Sequence, residues 1–116
     1  MSESILTSIK KNLGIVEEYT QFDQDIMMHT NTALNLVNQL GLGVDGFTIK
    51  DSSSTWEDFL GDDEAKASLV KSYVYLKVRL LFDPPTGTSA MTAFSNLASE
   101  LEWRMTVKSD EISGSN

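Results

Sequence analysis

The sequence predicts an all-α fold, a small bundle of about four to five helices, from three observations. Apolar residues recur at three- and four-residue intervals along most of the 116 residues. Each periodic run ends at a helix-stopping residue: Gly14, Gly41, Gly61 and the Pro84-Pro85 pair. The composition, 41% hydrophobic and 22% charged, is that of a globular chain long enough for one modest core. The expected organisation is a single helical domain over residues 1–108 and a flexible tail over residues 109–116.

Between Ser4 and Leu13, the residues Ile5, Leu6, Ile9 and Leu13 form one stripe of a short helix that Gly14 stops. The segment IVEEYTQF then connects to a second helix expected from about Gln21 to Leu40. Its stripe is Phe22, Ile26, Ala33, Val37 and Leu40, and Asp23 and Asp25 sit in the first turn, where the helix dipole favours anions. Residues 41–55 break the helical pattern with three glycines and a serine run. Asp45-Gly46 favours a two-residue turn, so a short β-hairpin or an ordered loop is expected at residues 42–50. Phe47 and Ile49 would share one face of it, either exposed as a contact site for another subunit or covering the end of this chain's own core.

Ser54 and Glu57 have capping-box spacing, which predicts a short helix from Thr55 to Leu60 closed by Gly61. The longest helical pattern follows, from Asp62 to Pro85, with Ala65, Leu69, Tyr73, Leu76 and Leu80 in one stripe. Val70, Val74 and Leu81 widen the apolar surface, so contact on more than one side is expected. Lys66, Lys71, Lys77 and Arg79 interrupt the rest of the circumference. Asp83 must leave the helix because it precedes a proline. The last helix, capped at Ser89, carries Met91, Phe94, Ala98, Leu101 and Met105, and Trp103 lies off that stripe as either a second core contact or an interface anchor.

Chemistry is harder to find. With no cysteine and one histidine, disulfides, thiolate catalysis and Cys-ligated zinc are excluded, and no cofactor or metal is expected. His29 has no identifiable nucleophile or orienting carboxylate, so no catalytic residue is assigned. The glycine tract lacks the GxxxxGK[ST] spacing of a phosphate loop. Asp62, Asp63 and Glu64 lack the spaced ligands of a calcium loop and fit the first turn of the long helix. No apolar run is long enough to span a membrane. The start MSESILTSIKK lacks the pattern of a signal peptide, so a cytosolic origin is expected.

The net charge is −8 and unevenly spread. Residues 1–64 hold twelve acids and three bases, net −9, whereas residues 65–116 hold five acids and six bases, net +1. Such a chain is poorly suited to neutralising phosphates along nucleic acid. Its acidic half suits a basic protein partner, a wall past which DNA slides without sticking, or solubility alone.

At KSYVYLKVRLLFDPP, residues 71–85, followed by a helix containing ELEWRM at residues 100–105, the sequence resembles the head-tail connector, or adaptor, proteins of long-tailed bacteriophages. The order of helices agrees over residues 4–105. The resemblance implies a non-enzymatic structural protein of a phage or prophage. Its copies would form a ring under the portal protein, extend the DNA channel and receive a downstream connector or tail-completion protein. It also implies a place in the virion neck, reached from the host cytoplasm during assembly, with DNA passing through without specific binding. Candidate interface residues are Phe47, Ile49, Lys77, Arg79 and Trp103. The competing reading is an acidic helical regulator, or DNA mimic, that binds a basic protein.

Overall fold

The structure, a computed structural model, describes residues 3–113. Five helices follow in order: α1 (Ile5–Asn12), α2 (Asp23–Gln39), α3 (Trp56–Leu60), α4 (Glu64–Phe82) and α5 (Thr88–Ser113). There is no strand among the described residues, only an isolated bridge between Ser4 and Thr55.

The local signals act close to where the sequence put them, with shifts of a residue or two. The Ser4 hydroxyl caps α1 by accepting from the Thr7 N–H at 3.2 Å. The capping box of α3 is Thr55 with Asp58, one residue later than Ser54 with Glu57. The Asp58 N–H donates to Thr55 Oγ1 at 3.1 Å, and the Thr55 N–H donates to Asp58 Oδ2 at 2.9 Å. The backbone bridge at Ser4 and Thr55 holds Thr55 extended, which makes it the residue able to cap. Asp63 caps α4, accepting from the Lys66 N–H at 3.1 Å. Asp83 leaves the helix with extended φ and ends it before the prolines. The last helix starts at Thr88, one residue ahead of Ser89.

α4 is the central element, packed along α2 and α5, with α1 and α3 against it as well. Phe82 meets the rings of Phe22 and His29 on α2's side, and Tyr75 meets Trp56 of α3. On another side, Tyr73 hydrogen-bonds Glu102 of α5 at 2.8 Å, and Arg79 lies over the Phe94 ring of α5. Contact on more than one side is therefore correct, but the innermost stripe is not the expected one. Val70, Tyr73, Val74 and Val78 are fully buried, whereas Leu69, Leu76 and Leu80 are only partly buried and Ala65 is exposed. The helix is apolar on two adjacent faces, and the valine face is closed more completely than the leucine face.

The same asymmetry trims the last stripe. Ala98, Leu101 and Met105 are buried as expected, but Met91 is 40% exposed. At its other end α5 passes through Lys108 without a break, so the flexible tail expected from residue 109 is helical as far as Ser113. Ser109 seats against Gly41, where a Cβ would collide with its hydroxyl, and Ile112 borders the groove beside the glycine loop. Residues 114–116 of that expected tail lie outside the described residues.

Candidate functional site

The glycine tract is an ordered loop, not a hairpin. Asp45-Gly46 does turn the chain, with Phe47 N–H donating to the Val44 carbonyl at 3.2 Å and Gly46 at φ 76°, but no strand runs to or from it. Its backbone groups bond instead to two side-chain amides of α2. Asn38 donates to the Leu42 and Val44 carbonyls at 3.0 and 3.1 Å and accepts from the Gly46 N–H at 3.2 Å. Asn31 donates to the Ile49 carbonyl at 3.0 Å and accepts from its N–H at 2.8 Å. A carboxamide carries both a donor and an acceptor, so it can replace one rung of a β-ladder. The two asparagines stand seven residues apart, two turns along one helix face; that spacing beside a glycine-rich segment was the sequence signal for their role.

This tethering turns the loop inward. Ile49 is 2% exposed and part of the core, and Phe47 is half-buried with its ring 5.1 Å from that of Phe59. Of the two readings of this pair, covering the chain's own core describes their positions, and Ile49 is not an exposed contact residue. Gly43 is required there: its φ is 79°, and any Cβ would run into the Phe59 ring.

The other sequence-predicted residues are spread over α4 and α5. Lys77 is half-buried and has no ion partner among the described residues. Arg79 is engaged, donating from Nε to the Asp83 carbonyl at 2.5 Å and lying 5.8 Å from the Phe94 ring centroid, so it holds the corner between α4 and α5. Trp103 is 66% exposed, which removes the reading of it as a second core contact. Val107, four residues on, shares its face and is also exposed.

Two buried polar links escaped the sequence reading. Lys10 is 2% exposed, with Nζ donating to the Glu17 carbonyl at 2.9 Å and lying 2.9 Å from Asp23 Oδ1. The second contact is an ion pair without hydrogen-bond alignment, and it ties α1 to the start of α2. A lysine is normally read as solvated, and only the Lys10–Asp23 spacing across a connector hints otherwise. The second link is Tyr73–Glu102 between α4 and α5. Burial, and then its hydrogen bond to the Glu102 carboxylate, pushes the phenol well above its ordinary range.

His29 is half-buried edge-on against Phe82, with ring centroids 6.4 Å apart. No group of three or more His, Cys, Asp or Glu among the described residues could hold a metal ion. No helix of the described residues is long and apolar enough to cross a membrane. One open groove of about 650 Å³ runs along α2 beside Met27, Met28 and Asn35. What the surface does present is exposed apolar side chains on several elements. Val16 and Tyr19 precede α2, Phe22 and Met28 belong to its start and first turns, Val44 lies in the glycine loop, Leu81 on α4, and Met91, Leu97, Trp103, Val107 and Ile112 along α5.

Comparison with known proteins bears on which surfaces those are. A family model described as phage connector protein matches residues 5–112. No curated protein and no solved structure matches the chain.

Proposed function

The chain belongs to the phage connector protein family, and from that premise we propose that it is a structural subunit of the neck of a phage or prophage particle. Several copies close into a ring under the portal protein, extend the DNA channel and present a platform to a downstream connector or tail-completion protein. The role needs no catalysis and no cofactor. The observation that carries it is the family match, which runs from α1 almost to the end of α5 and so includes every helix of the bundle.

The physical chemistry of the chain supports the same reading. A first half with net charge −9 repels phosphates, so DNA can move past it without being held. Exposed apolar residues on several elements give a chain of this size surface for more than one protein contact.

Sedimentation of the purified chain with the portal protein of the same phage tests the proposal. Co-migration at micromolar concentration as a ring-sized complex is the expected result, and separate migration would overturn it. Lys77, with no ion partner of its own, is the cleanest charge to reverse. Lys77→Glu should leave the far-ultraviolet circular dichroism unchanged and weaken co-migration; unaltered assembly removes Lys77 from the interface.

A further inference from the structure

α2 carries a ladder of carboxamides. Gln24, Asn31, Asn35 and Asn38 fall, with Met28, at alternating spacings of four and three, so they share one face of the helix. Two of the four already hold the chain's own glycine loop. Asn31 meets both the N–H and the carbonyl of Ile49, which requires Ile49 to be extended: the two groups of an extended residue point to the same side, whereas those of a helical residue point in opposite directions along the axis. This face of α2 therefore grips extended chain through its backbone, as a neighbouring strand would.

The other two carboxamides are free. Gln24 and Asn35 are exposed, and neither side chain has a hydrogen-bond partner among the described residues. Both line the open groove of about 650 Å³ along α2, together with Met27, Met28 and Ile49. Eleven residues of helix separate them, about 16 Å, which an extended segment of about five residues covers. Met28 is 58% exposed, and its unbranched thioether adapts to the side chain it meets. Among the described residues that line the groove only Lys50 is charged, and Asp51 follows it in the chain. Charge therefore selects little here, and hydrogen bonds to backbone and contact with the methionines select most. A helical partner does not suit the site, because its backbone groups are already paired within the helix.

We infer that this groove is a docking site for an extended, uncharged segment of a different protein, about five residues long. Gln24 and Asn35 hold the segment by its backbone as Asn31 holds Ile49, and its apolar side chains rest on Met27 and Met28. The inference rests on the connector reading only for its setting, in which the segment comes from a neighbouring protein of the neck.

Selection of a displayed library of short random peptides against the intact chain tests it, followed by titration of the enriched peptides into isotope-labelled protein observed by NMR. The side-chain amide signals of Gln24 and Asn35 should shift, while those of Asn12 and Asn96, on α1 and α5, stay in place. The double variant Gln24→Ala, Asn35→Ala should bind the same peptides at least about tenfold more weakly. Its thermal unfolding should be unchanged, because neither carboxamide is bonded within the folded chain. Methylating alternate backbone nitrogens of a peptide removes its donors and should weaken binding by a similar factor. Three results overturn the inference: no enriched peptide, binding to the double variant at the unmodified strength, or a bound peptide that is helical or indifferent to methylation. Co-migration with the portal decides the connector reading separately, since the peptide experiment uses this chain alone.

Discussion

The two sides of α4 are built differently. On one side Val70, Val74 and Val78 belong to a core shared with Ile9 of α1, Val37 of α2 and Trp56 of α3, all 2% exposed or less. On the other lies α5 alone, joined through Leu101, Met105 and the Tyr73–Glu102 hydrogen bond, with Leu69, Leu76 and Leu80 only partly covered. The first side is a finished core, and the second is a helix pair with apolar surface left over. Side chains of similar hydrophobicity are therefore enclosed on one side and left partly exposed on the other.

The sharpest way to break this contrast is to truncate the two tryptophans. Trp56 is buried and donates from its indole to Ser8 Oγ at 2.9 Å, so Trp56→Ala should cost about 3–5 kcal/mol in urea unfolding. Trp103→Ala should change the stability of the monomer by no more than about 0.5 kcal/mol. Equal losses would mean that α5 is as firmly enclosed as α3.

The link between α4 and α5 should respond to pH. Replacing Tyr73 with Phe removes one hydrogen bond to a half-buried carboxylate and should cost about 1 kcal/mol at neutral pH. Because the folded protein raises the phenol's pKa above the ordinary value of about 10, it favours the neutral form. That contribution is intact below about pH 10 and is lost as pH rises toward the raised value. Unfolding followed from pH 8 to 11 should show a steeper loss in the unmodified chain than in Tyr73→Phe. Parallel curves would show that the α4–α5 contact does not depend on this proton.

The smallest effect belongs to the finished side. Thr30 is fully buried on α2, and its hydroxyl has no hydrogen-bond partner. Thr30→Val keeps the shape and removes the unpaired group, so stability should be unchanged or rise by up to about 1 kcal/mol. A loss would show that the hydroxyl has a partner, such as a bound water.

Local rules made much of this legible. The glycines at 14, 41 and 61 do stand just past helix ends, and the prolines do terminate α4, because φ and the missing N–H act within one or two residues. What was misread depends on neighbours. Helical spacing alone ranks the leucine and valine stripes of α4 equally, and Ser54 and Thr55 compete as caps until the bridge to Ser4 selects one. The inward turn of Ile49 required two asparagines on another element.

By itself, then, the sequence determined an all-α chain, the number and order of its helices, its charge asymmetry and a family resemblance that the match over residues 5–112 bears out. The tertiary structure decided which apolar residues are core and which are surface: Ile49 inside, Lys10 inside, Trp103 outside. The reason is that burial belongs to pairs of elements. Periodicity gives a helix its apolar face, but only the helices packed around it determine whether that face is closed or left for another molecule.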